Sequence, residues 1–180
     1  MRKERFEAIT DAILAIIITL MLIEIRIPEL SIHHLPDILY QVLIYAISFV
    51  SIAIVWLNHH RFINVAGTEK IDISSVWINF GMLFMISFLP LGTEHLSDSF
   101  FKIENHIFYG MIAGLMVVFY AILQDRITKH KNEFKKDRKM SWFSAMLYFL
   151  TIPLSFVSVY LSGAIFLLIP VIYFLQTKKQ

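Results

Sequence analysis

Residues Ala8 to Ile27 read AITDAILAIIITLMLIEIRI, and this stretch decides the class of the fold. At about 1.5 Å of helical rise per residue it spans about 30 Å, the thickness of a bilayer's hydrocarbon core. Between Asp11 and Glu24 the only polar side chain is Thr19. At about 100° per residue, Ile9, Ile13, Ile16, Leu20, Ile23 and Ile27 fall on one narrow stripe. Such a stripe suits packing on a neighbour or lining a constricted path. Asp11 points to roughly the opposite side, near the membrane edge and close to Arg5.

The rest of the chain agrees with a membrane class. Hydrophobic residues make up 57% of the 180 and charged residues 17%. A soluble domain of this size has too little interior to bury that much apolar surface. There are no cysteines, which excludes a disulfide framework and thiolate chemistry. A secretory signal has a shorter apolar region and a small-residue cleavage site. Here the run is full length and is followed by Glu24, Arg26 and Pro28, so it reads as a retained helix.

Working outward, the sequence predicts an all-α polytopic membrane protein with six transmembrane helices in one domain, residues 1–180. The first is Ala8 to Ile27, closed by Pro28. ELSIHHLPD is a connector in which Pro36 and Asp37 suit the start of the next helix. The second helix is Ile38 to Leu57, followed by the polar connector NHHRFINVAGTEK. The third is Ile73 to Leu91, with Pro90 near its end, and GTEHLSDSFFK leads to the fourth, Ile107 to Leu123. QDRITKHKNEFKKDRK reads as a basic loop. The fifth helix is Trp142 to Leu161 with a kink at Pro153. Ser162 and Gly163 form a break, and the last run, Ala164 to Leu175, is short at about 18 Å.

Charge fixes the number of crossings. With six, the N-terminus, the second and fourth connectors and the C-terminus share one side. That side then holds all but Arg26 and Lys102 of the 16 lysines and arginines. The positive-inside rule places both termini in the cytoplasm. Five crossings would strand Lys178 and Lys179 outside. The basic loop reads as a topology signal in contact with anionic lipid. With no phosphate loop, Walker pattern or nucleophile elbow, neither enzymatic activity nor a nucleic-acid partner is expected.

Three groups of residues carry candidate function. Arg5, Thr10 and Asp11 sit at the inner end of the first helix. An ionisable side chain at that depth is costly and calls for a partner on another helix, as a latch or as a proton or cation relay. Trp56, His59 and His60 lie at the same depth on the second helix, where an imidazole or indole N–H could donate to Asp11. Adjacent histidines diverge by about 100° on a helix, so His59 and His60 do not suit one metal ion. His33 and His34 suit one still less. The third group is the isoleucine stripe with Thr19 at its border. Packing, with the Thr19 hydroxyl bonded to the carbonyl four residues back, is the plain reading. Alternatively, several copies of the helix face one axis, where apolar rings form a dewetting constriction and threonine oxygens face a dehydrated cation.

Arg5-x-x-x-Ile9-Thr10-Asp11, followed by Ala12-Ile-Leu-Ala-Ile16 and Thr19, resembles the Arg-x-x-x-Phe-Ser-Asp signature of the transmembrane protein 175 family, the endosomal and lysosomal potassium channels and their bacterial relatives. Trp56-x-x-His59, Asn79 and Leu89-Pro90 resemble the rest of that pattern. The family's Phe is Ile9 here and its Ser is Thr10, which keeps a hydroxyl but loses an aromatic ring. The resemblance covers the whole chain and implies a single six-helix subunit of a bacterial-type homotetramer in the cell membrane. It implies that Ile16, Leu20 and Ile23 line the pore and that Thr19 favours potassium. It also implies that Arg5, Thr10, Asp11, Trp56, His59 and Asn79 form a polar network joining helices one to three. His59 is then the expected partner of Asp11. No cofactor is implied beyond the permeant potassium ion, and the partners are lipids and further copies of the chain. Two other readings stay open: a small secondary transporter using Asp11 and His59 as a proton relay, and a non-conducting structural subunit.

Overall fold

In hydrocarbon a backbone N–H or C=O has no water to bond, so an apolar run of this length closes its hydrogen bonds within itself as a helix. The computed structural model describes residues 1–24, 32–65 and 70–177. Among them are seven α-helices: α1 (Lys3–Glu24), α2 (Leu35–Val65), α3 (Ile73–Ser87), α4 (Leu89–Asp98), α5 (Ile103–Thr128), α6 (Lys135–Val157) and α7 (Val159–Thr177). Short 3₁₀ turns precede α2 and α6. Five helical segments are long and apolar enough to cross a membrane, with α3 and α4 forming one of them, and Val159–Tyr173 is a shorter sixth. The six-span, all-helical architecture therefore stands, with the last span short.

Several boundaries differ from the sequence reading, each for a local reason. α2 runs on to Val65, eight residues past Leu57. Polarity in NHHRFINV marks the exit from the membrane, not the end of the helix, and buried Phe62 and Ile63 keep the extension packed. The third span breaks at Phe88, and Pro90 sits in the first turn of α4, where its missing N–H costs nothing. Most of GTEHLSDSFFK is thus helical. The basic stretch is helical as well, apart from the turn between Thr128 and Lys135. The break before the last span falls at Ser158, whose backbone is extended, and Ser162 and Gly163 lie inside α7. Pro153 is accommodated within α6. The expected end of the first helix at Ile27 and Pro28, together with Lys178 and Lys179, lies outside the described residues.

α5 is the hub, in contact with α2, α3, α4, α6 and α7. Helices in lipid gain little from the hydrophobic effect and rely on close packing, which small residues permit. Gly110 and Gly114 provide this on α5. A Cβ at Gly110 would meet the Thr151 hydroxyl and, at 3.3 Å, the Tyr148 carbonyl of α6, and one at Gly114 would meet the Phe149 ring at 3.1 Å. Buried polar groups are paired across helices: the Ser48 hydroxyl lies 2.9 Å from that of Tyr109 and accepts from Thr93 at 2.8 Å.

One end of the bundle gathers the N-terminus and the α2–α3 and α5–α6 connections. Ile71 N–H donates to the Met1 carbonyl at 2.8 Å. Arg126 pairs with Asp72 at 3.0 Å and Arg61 with Asp137 at 2.7 Å. Asp72 caps α3 by accepting from the hydroxyl and the N–H of Ser75. The Ser75 hydroxyl is the main reason its carboxyl is held below the usual range. The N-terminus and the two basic connections predicted to share its side meet at one end, while Lys178 and Lys179 lie outside the described residues.

Candidate ion pathway

α1 has two unlike faces. Phe6, Thr10, Leu14, Ile17 and Met21 recur every three to four residues and are buried against the bundle. Much of the opposite face is left uncovered by the described residues. Ile16 is 58% exposed, Leu20 45% and Ile23 77%. Thr19 is exposed beside them, while Ile9 and Ile13 are half-buried at the border. The predicted stripe therefore emerges from the bundle as it runs along the helix, and Ile27 lies outside the described residues. An apolar helix face that the described residues leave open suits lipid or further copies of the chain.

Thr19 Oγ1 donates to the Ile16 carbonyl oxygen at 2.7 Å, three residues back where the sequence suggested four. This spends the hydroxyl's one proton and leaves its oxygen as an acceptor. The back-bonded hydroxyl of the packing expectation is therefore present, and the lone pairs that a cation would need stay on the oxygen.

At the inner end of α1, two sets of polar contacts hold it to its neighbours. The first is buried. His59 Nε2 lies 3.2 Å from Asn79 Oδ1, and Asn79 Nδ2 donates to Thr10 Oγ1 at 2.9 Å. Thr10 in turn donates to the Phe6 carbonyl at 3.0 Å. Asn79 Oδ1 is acceptor-only, so His59 Nε2 carries the proton and the bonds run in one direction from α2 through α3 to α1. Thr10, His59 and Asn79 are each no more than 2% exposed. The His59 ring stacks on Phe6 at 5.5 Å and meets the edge of Phe62 at 5.1 Å.

The second set is an open ladder between α1 and α2. Lys3 Nζ donates to Asn64 Oδ1 at 2.9 Å, Glu7 Oε1 lies 3.8 Å from His60 Nδ1, and Trp56 Nε1 donates to Asp11 Oδ1 at 2.8 Å. Lys3, Glu7 and Asp11 ascend α1 in steps of four while Asn64, His60 and Trp56 descend α2 in the same steps. Rungs about 6 Å apart follow from the helical rise of two antiparallel helices. Asn64 also reaches His60 at 2.8 Å, and the Trp56 indole stacks on the His60 ring at 6.3 Å.

The structure thus brings together Thr10, His59 and Asn79 in one set and Asp11 and Trp56 in the other. Asp11 takes the indole, not the imidazole, because Trp56 and Asp11 share the exposed flank of the α1–α2 contact and His59 faces the core. Arg5 is exposed and makes no hydrogen bond or ion pair among the described residues. His60, a candidate by its depth, lies beside Glu7 rather than Asp11. Phe6, Glu7 and Asn64 were missed by sequence reasoning. Their signal is the pair of four-residue spacings, hidden when the second helix is ended at Leu57. No group of three or more His, Asp or Glu side chains suited to a metal ion occurs among the described residues.

Comparison with known proteins places this geometry. The family model described as the endosomal/lysosomal potassium channel TMEM175 matches residues 5–90, which contain both sets of contacts except Lys3. A potassium channel from Chryseobacterium sp. is 32% identical, covering 99% of this chain and 96% of its own length. A potassium channel from Chamaesiphon minutus is 27% identical over 97% of this chain and 94% of its own. The crystal structure of a lysosomal potassium-selective channel TMEM175 homolog from Chamaesiphon minutus superposes with a TM-score of 0.76, 28% identity and 97% coverage of both chains.

Proposed function

We propose, from the premise that this chain belongs to the endosomal/lysosomal potassium channel TMEM175 family, that it forms a homotetrameric potassium-permeable channel. It is an integral membrane protein with the family's six-span fold. In this reading the whole chain is one channel domain, and four copies of α1 surround the conduction axis. Ile16, Leu20 and Ile23 line the narrow path, and Thr19 biases it toward potassium. Both termini lie in the cytoplasm of a bacterial cell, following the basic residues. The protein carries no enzymatic activity and needs no cofactor beyond the ion it passes.

One observation carries the proposal. The residues that line the path in this reading are among those left uncovered on α1, while the far face of the same helix is anchored in the bundle. Apolar rings give no strong cation site, so passage depends on wetting and selectivity is modest. Thr10, Asp11, Trp56, His59 and Asn79 then act as scaffold, holding the inner end of α1 at a fixed angle.

The experiment is a planar-bilayer recording of the purified protein under potassium and sodium gradients. Large unitary currents reversing nearer the potassium potential are expected. Coupled flux without unitary currents would favour a transporter using Asp11 and His59, and silence from an intact oligomer would favour a structural subunit.

A further inference from the structure

α5 and α6 turn into one another at the end of the bundle that gathers the basic residues. There a cleft of about 330 Å³ is lined by Asp125, Arg126, Lys129 and Arg138. Its arginines are held in place from behind. Arg138 Nη1 donates to the carbonyls of Thr128 at 2.7 Å and Lys131 at 3.2 Å, and its Nε lies 3.5 Å from Asp125 Oδ1. Arg126 Nη2 is fixed by Asp72 at 3.0 Å. The other guanidinium nitrogens, Arg126 Nε and Nη1 and Arg138 Nη2, and the Lys129 ammonium have no partner among the described residues. The lining thus presents three cations against one carboxylate, with donors already oriented.

The depth of this cleft is marked by a tryptophan. Trp142 lies one turn along α6 from Arg138, and its indole N–H donates to Asp125 Oδ2 at 2.7 Å. A tryptophan with a bonded N–H and an apolar ring belongs at the headgroup level. From it an exposed apolar stripe descends α6: Trp142 is 42% exposed, Met146 57% and Leu150 43%. In the other direction Lys135 and Lys139 continue the same face, both exposed. Cations, an interfacial tryptophan and an apolar track follow one another along a single helix face.

We propose that this cleft binds the phosphate of an anionic phospholipid, whose acyl chain lies along Trp142, Met146 and Leu150. The guanidinium donors suit a phosphate's oxygens. The track leading into the hydrocarbon favours a lipid over a soluble phosphate, which would use the cations alone. The site lies on α5 and α6, so it is independent of how α1 conducts ions.

The test is native mass spectrometry of the full-length protein in micelles holding equal amounts of dioleoyl phosphatidylglycerol and dioleoyl phosphatidylcholine. The wild type should retain phosphatidylglycerol in preference. Lys129→Gln should lower the retained ratio of the two lipids by roughly fivefold, the worth of one lysine near an anionic surface. Lys129→Arg should restore it. Lys136→Gln removes the same charge from an exposed position outside the cleft lining and should leave the ratio unchanged. An equal fall with Lys136→Gln would show diffuse attraction and overturn the site. So would an unchanged ratio with Lys129→Gln, whose exposed side chain leaves folding intact. Loss of the retained phosphatidylglycerol to inorganic phosphate would overturn the lipid assignment in favour of a soluble anion.

Discussion

At Thr19 the account depends on one oxygen. Thr19→Val keeps the shape and removes both the bond to Ile16 and the acceptor. If that oxygen helps replace an ion's water, the potassium-to-sodium permeability ratio should fall in the variant while the oligomer stays intact. A ratio equal to wild type, read from bi-ionic reversal potentials, would leave Thr19 with packing alone. Ile16 is the matching apolar position. Ile16→Asn places amides where a dry ring is proposed, so unitary conductance should rise, several-fold if Ile16 is the narrowest ring. Unchanged currents from a well-folded oligomer would remove Ile16 from the path.

At the scale of helices, the inner end of α1 is tied to α2 and α3 by bonds that can be told apart. Trp56→Phe deletes one N–H, and Asp11→Ala deletes its acceptor. Both side chains are exposed, so their coupling energy in a double-mutant cycle should be roughly 0.5–1 kcal/mol, seen in thermal unfolding in detergent. Asp11→Ala and His59→Ala should couple less, because His59 bonds to Asn79. A larger coupling for the histidine pair would mean that the imidazole is the partner of Asp11 after all. Lys3, Glu7 and Asn64 were not legible in the sequence. Thr10, Asp11, Trp56, His59 and Asn79 were, since polar side chains at one membrane depth seek one another. Their pairing was not. Which helix face turns inward at Trp56 and His59 depends on Phe62 and Ile63, which bury the extension of α2 beyond the membrane. Hydropathy stops at the membrane edge and does not see that extension.

For the whole molecule, the number of spans and their shared end were readable from apolar run lengths and from the placement of lysine and arginine. Helix ends were less so. Pro90 opens α4 and Pro153 sits within α6, and a proline is compatible with a start, a kink or a stop until its neighbours are known. The chain's general plan follows from this architecture: α5 as hub, α1 half-anchored at the side, and one apolar face of α1 left over. Everything proposed about conduction rests on what that face meets in the assembly.

The absence of native cysteines makes this directly measurable. Single cysteines placed along α1 and recorded in planar bilayers with silver ions added report which side chains the ion path touches. Cysteine at Ile16, Thr19, Leu20 or Ile23 should render the current silver-sensitive, and cysteine at Leu14, Ile17 or Met21 should not. Block confined to Leu14, Ile17 and Met21, or equal block at every position, would contradict the claim that the open face of α1 lines the pore.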